Sequence, residues 1–234
     1  MHERASRAGM STENPAPVDS TRPVTVWDLP TRIFHWALTA LIPFLWWSAD
    51  NDHLDLHKLA GFAVSALIVF RVYWGLFGAE TVRFSYFLRG PRAVWSYLRR
   101  HNISALGHNP LGGWSVVALL TMVSIETGLG LFAIDEDGLE SGPLASYASI
   151  DTARMAAHWH AVLFNPLLAL IGLHVAAIVY YHLRRQNLVG PMITGRIRVT
   201  SEVPAPRSAS LLSLIFGLVL AGAAFVGLWW LDNH

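Results

Sequence analysis

The chain has 234 residues, 53% hydrophobic and only 14% charged, whereas a soluble globule carries about a quarter charged residues to wet its surface, so much of this exterior is expected to face lipid. A formal net charge of +1 leaves no excess cation to neutralise phosphates, which argues against nucleic acid as a partner. The absence of cysteine excludes disulfides, thiolate-held iron–sulfur clusters, haem attached through Cys-x-x-Cys-His and a cysteine nucleophile.

In chain order, residues 1–23 are polar and contain Pro15, Pro17 and Pro23, and they read as a flexible tail. They do not read as a cleaved signal, because the apolar run after Arg32 is too long for a signal core and lacks a small-residue cleavage site. Crossing roughly 30 Å of hydrocarbon takes about 20 mostly apolar residues. Five stretches qualify: 33–49, 56–78, 113–134, 156–181 and 211–231. With all backbone groups paired internally, these predict an all-α integral membrane protein of five transmembrane helices. Between the second and third spans, residues 84–88 and 93–98 are expected to lie as short amphipathic helices at the headgroups, separated by Gly90-Pro91. Tryptophans at several predicted ends, among them Trp27, Trp46, Trp47, Trp114, Trp159, Trp229 and Trp230, suit interfacial anchoring.

Orientation follows from the cations. Arg4, Arg7, Arg22 and Arg32, then Arg83, Arg89, Arg92, Arg99 and Arg100, then Arg184, Arg185, Arg196, Arg198 and Arg207 all fall on one side. The opposite side holds only Lys58 and Arg154 against Asp50, Asp52, Asp55, Asp135, Glu136, Asp137, Glu140 and Asp151. The positive-inside bias puts the N-terminus in the cytoplasm and Asp232 to His234 outside.

Ionisable groups at membrane depth are expensive and point to function. His35, His57, His160 and His174 fall in the spans, and two neutral imidazoles from different helices can bind one haem iron from both faces. His160 and His174 are fourteen residues apart, about 21 Å along one helix and nearly on one face. The fourth span starts outside, so His160 lies outward and His174 inward. His35 opens the first span on the inner side, and His57 opens the second on the outer side. The level pairs are therefore His35 with His174 and His57 with His160, a two-haem arrangement stacked across the bilayer. His158 and His53 compete with their neighbours His160 and His57. Gly61 and Gly172 would let a flat macrocycle approach the helices.

The segment Val-Trp-Asp-Leu-Pro-Thr-Arg-Ile-Phe-His-Trp over residues 26–36 resembles the opening of the bacterial cytochrome b561 and nickel–iron hydrogenase cytochrome b subunit family. The resemblance continues in His57-x-x-x-Gly61, Arg71-x-x-Trp74-Gly75, Gly107-His-Asn-Pro-Leu-Gly112 and His160-x4-Asn165-x8-His174, roughly over residues 24–195. It implies a di-haem b-type cytochrome exchanging electrons between membrane quinone and a redox partner. The family's axial ligands fall on His35, His57, His160 and His174, and the spacing to Asn165 and His174 selects His160 over His158. Ala161 stands where relatives often carry an acid.

Around these histidines Arg71 would either fork a haem propionate near the inner site or snorkel to the headgroups, and Arg32 faces the same choice. Glu126, inside the third span, is either a proton relay or haem-facing hydrogen bond, or a neutral acid bonded to a neighbouring helix. The resemblance also suggests a quinone pocket near the inner haem, where His108 and Asn109 could hydrogen-bond a carbonyl; alternatively Asn109 caps a helix that Pro110 begins.

The reading is thus a cytoplasmic tail (1–23), a di-haem domain (24–200) in which four helices bundle around two haem b groups, and a linker with a fifth helix (201–234). It would carry electrons across the bacterial inner membrane between quinone and a periplasmic partner such as a c-type cytochrome. The main alternative is a membrane-anchor cytochrome b of a hydrogenase or dehydrogenase whose catalytic subunit is another polypeptide. An alternative of another class is a His-lined metal transporter without haem.

Overall fold

The protein is seen in a computed structural model that describes residues 21–100, 109–135, 137–200 and 204–234. The elements are β1 (Thr21–Thr25), α1 (Leu29–Asp50), α2 (Leu54–Phe77), α3 (Phe84–Phe87), α4 (Pro91–Arg100), α5 (Pro110–Phe132), α6 (Ile150–Leu183), α7 (Val189–Thr194), β2 (Arg196–Thr200) and α8 (Leu211–Asp232). Four of the five long helices begin at a side-chain oxygen that accepts a first-turn N–H: Asp28 from Thr31, Asn109 from Gly112, Ser149 from Thr152 and Ser210 from Ser213. Pro30 and Pro110 sit in the first turns of α1 and α5, where no intrahelical donor is needed.

Four helices, α2, α5, α6 and α8, are long and apolar enough to cross a membrane, so the chain is a multi-pass membrane protein. The 22 residues of α1 are long enough as well, but Arg32, His35, Asp50 and its tryptophans make it less apolar than the other four. The helix α6 outruns the expected 156–181: its 34 residues extend about 51 Å, well beyond the hydrocarbon. The added first turns, Ile-Asp-Thr-Ala-Arg-Met, are too polar to register as a span, yet they continue the helix that Ser149 caps.

The helices pack as two slabs. The first is α1, α2 and α8, with α8 lying along α2; the second is α5 with α6. A thinner α2–α5 contact joins them, and α6 meets α1 and α2 through side chains while its backbone stands off from theirs. Midway along the bundle, Val64, Val123 and Leu167 form a buried core with Leu38, Leu41, Phe164 and Ile171 around them. One end of the bundle carries the arginines and the other the acids, called below the basic and acidic ends.

The basic end departs from an all-α chain. β1 and β2 pair antiparallel, Thr21 opposite Thr200. Two five-residue strands far apart in sequence leave no periodic signal, so they surface only when brought together. The tail expected over residues 1–23 therefore gives its last three residues to a strand, and the rest of it lies outside the described residues. The sheet is tied to the bundle at Gly195, whose carbonyl accepts from Val26 and Trp27 N–H at 2.8 and 3.2 Å. Gly195 has φ +79° and a Cβ there would lie 2.6 Å from the Trp27 carbonyl oxygen, so only glycine suits the position.

Beneath the sheet, Val26, Trp27, Phe70, Trp74 and Val82 form a second core. Asp28 accepts from Trp74 Nε1 at 2.8 Å while it caps α1, so one carboxylate joins the start of α1 to the end of α2. The next residue, Gly75, lies under the Phe84 ring, where a Cβ would come within 2.2 Å. The Gly75→Ala variant is expected to lose about 1–3 kcal/mol by overpacking. It would appear as a lowered unfolding midpoint of detergent-solubilised protein; an unchanged midpoint would contradict this account of the packing.

Candidate functional site

Toward the acidic end, α2 presents His57 and α6 presents His160 with their ring centroids 6.0 Å apart and planes at 81°. His57 Nδ1 lies 2.9 Å from the Leu45 carbonyl oxygen of α1. A carbonyl only accepts, so Nδ1 carries the hydrogen and the neutral ring keeps its lone pair on Nε2. His160 Nδ1 lies 2.9 Å from the Glu126 carbonyl oxygen and equally 2.9 Å from Glu126 Oε2. Its one hydrogen points to the carbonyl, again leaving the Nε2 lone pair free. The Glu126 carboxyl, only 5% exposed, has no hydrogen-bond donor among the described residues.

A cavity of about 510 Å³ surrounds these two histidines, lined mostly by apolar side chains such as Leu45, Phe62 and Phe164. Gly61 lines it one turn after His57, and a Cβ there would meet nothing within 4 Å. The gap between α6 and the α1–α2 slab is what opens this space.

Toward the basic end, His35 of α1 and His174 of α6 come within electrostatic range of each other. The structure thus brings His57 near His160 and His35 near His174. His35 Nδ1 is buried without a hydrogen-bond partner among the described residues, so it lacks the carbonyl support that His57 and His160 have. Gly172, near His174, also leaves open space where its Cβ would be.

Arg71 is 3% exposed, which removes the headgroup reading. Its Nη2 donates to the Val82 carbonyl at 3.4 Å, its guanidinium stacks 4.9 Å from the Phe84 ring, and Asp28 attracts it. Nη1 is buried without a partner among the described residues, an orphaned donor that suits an anionic group. Arg32 instead donates through Nη1 to the Ile193 carbonyl, tying α1 to α7.

Asn109 caps α5 through Oδ1, and its Nδ2 donates to Tyr97 and Tyr181 at 3.0 and 3.1 Å. The two phenols hydrogen-bond each other at 2.7 Å. Burial and the Tyr181 hydroxyl raise the Tyr97 phenol above its usual range. His108 lies outside the described residues. Tyr97 and Tyr181 carried no signal in the sequence except aromatic abundance, and Lys58, beside His57, was read only as a topology marker.

Comparison with family models matched residues 26–195 to the prokaryotic cytochrome b561 family. The chain belongs to that family. Its members are haem-binding membrane cytochromes b of electron transport. No curated protein and no solved structure matched the chain.

The cytochrome's residues fit the cofactor. Two opposed metal–imidazole bonds of about 2 Å each, with the ring radii added, put ring centres roughly 6 Å apart, as His57 and His160 stand. Among the described residues no three His, Asp or Glu side chains gather into a metal site. A porphyrin supplies four of the iron's ligands itself, so two imidazoles suffice for it, whereas a bare metal ion would lack donors.

Proposed function

We propose that this cytochrome carries electrons across a bacterial inner membrane through two haem b groups, one between His57 and His160 and one between His35 and His174. The reading rests chiefly on the His57–His160 pair, with Nδ1 of each ring held by a backbone carbonyl on a neighbouring helix and each Nε2 left to bind metal. When bound, haem supplies the one-electron chemistry; the chain fixes ligands, dielectric and access. Leu45 and Glu126 orient the imidazoles through their carbonyls. The apolar layer of Val64, Val123 and Leu167 excludes water between the two levels.

In this reading all five long helices cross, with four around the haems in residues 24–200 and α8 appended in 201–234. The basic end is cytoplasmic and the acidic end periplasmic. Quinone exchanges electrons at the basic end, around His108 and Asn109, and Arg71 faces a propionate of the haem there through its orphaned Nη1. A basic c-type cytochrome takes or gives electrons at the acidic end, whose charge would attract it.

The visible spectrum of the purified protein tests this reading. A Soret band that shifts on reduction, with two non-covalent haems per chain by extraction, is the expected result. A colourless, correctly inserted protein would overturn it.

A further inference from the structure

The charged residues lining the His57–His160 cavity are Glu126, Asp135, Glu140 and a single cation, Lys58, among the described residues. Lys58 follows His57 directly. Its Nζ lies 3.1 Å from Glu140 Oε2 and 3.5 Å from Asp232 Oδ1. Three segments far apart in sequence meet at this ammonium: the start of α2, the loop between α5 and α6, and the last residue of α8. The family match ends at residue 195, so α8 and Asp232 lie outside it.

A lysine on a flexible stem at a bundle end ordinarily turns to water, since its compact charge is strongly hydrated. Here two carboxylates from different elements hold it at the cavity. A haem brings two propionate carboxylates with it. Entering a cavity rimmed by acids, those groups are repelled unless a cation stands among them. Lys58 is the cation positioned to do so, as the buried Arg71 is at the other end of α2.

We infer that Lys58 is the charge-neutralising cation of the acidic-end haem, and that α8 belongs to that site because Asp232 holds Lys58 in place. The inference rests on the proposed placing of a haem between His57 and His160. Removing a cation near the iron favours the more positive, oxidised state. Loosening the cation weakens the hold on the cofactor.

The experiment uses the full-length, haem-loaded protein and compares wild type, Lys58→Met, Lys58→Arg, Asp232→Asn and the Lys58→Met/Asp232→Asn double variant. Two quantities are read for the acidic-end haem: its midpoint by potentiometric titration, and its rate of loss to a haem acceptor. The basic-end haem in each sample reports that the bundle has folded. Lys58→Met is expected to raise the oxidised-to-reduced ratio of the acidic-end haem about tenfold at fixed potential, a 59 mV drop for one electron, and Lys58→Arg to restore it. Asp232→Asn should speed haem loss several-fold, with the double variant no faster than Lys58→Met alone, since Asp232 acts through Lys58. A Lys58→Met protein matching wild type in both quantities overturns the role of Lys58, and additive loss rates in the double variant overturn that of α8. A wild type that never acquires the acidic-end haem overturns the underlying reading itself.

Discussion

Alanine at His57 and alanine at His160 are expected to abolish the same haem signal, each lowering the haem content from two to one per chain. Alanine at His35 or at His174 is expected to abolish the other. The ring centroids of His57 and His160 stand 6.0 Å apart on α2 and α6, while His35 and His174 sense each other at the opposite end. With one imidazole gone, the chain would hold the iron through a single histidine, and the cavity would then compete poorly for the cofactor. If both members of a pair serve one iron, as proposed, the double variant His57→Ala/His160→Ala should lose no more haem than either single one, a non-additivity characteristic of groups that act as a unit. Low-temperature difference spectra and haem extraction on the four single variants check it. Loss of one spectral component by both the His57 and the His174 variants would sink the pairing.

The approach of His57 to His160 and of His35 to His174 was readable in the sequence because a helix has a fixed rise and consecutive spans alternate in direction, so four positions along the chain convert into depths. The same logic explains what was not readable. The tie of Lys58 to Asp232, the Asn109–Tyr97–Tyr181 cluster and the β1–β2 sheet join segments 72 or more residues apart in at least one contact each, and periodicity carries no information about such meetings. Asn109 illustrates the limit well. Its capping role was legible from the Asn-Pro pair, but the second use of its amide, bridging two phenols, depends on where α4 and the end of α6 come to rest. The helical reach of α6 was underestimated for a different reason: hydropathy marks the lipid-facing part of a helix, and the polar turns from Ile150 onward lie past it. The segments 26–36 and 71–75 were legible as motifs, yet their physical work became clear only in contact, with Asp28 capping α1 and holding the Trp74 indole while Gly75 admits the Phe84 ring.

Space, not only donors, makes the acidic-end site, and the Gly61→Phe variant separates the two. A Cβ at Gly61 meets nothing within 4 Å, and the residue lines the cavity around His57 and His160. A phenyl ring there collides with no protein atom at its base and buries apolar area in a cavity that is already apolar. The helices should therefore assemble with all four histidines in place. The cofactor's volume, however, would be partly taken, so the acidic-end haem is expected to be lost while the basic-end haem and the helical circular dichroism persist. Gly130 provides the graded counterpart on α5. A Cβ there would lie 3.2 Å from His160 Cε1, so Gly130→Ala pushes the imidazole by a few tenths of an ångström and should shift the acidic-end spectrum without emptying the site. Retention of both haems by Gly61→Phe would mean that the porphyrin does not occupy the space between α2 and α6, and the two histidines would then have to be read as a packed pair.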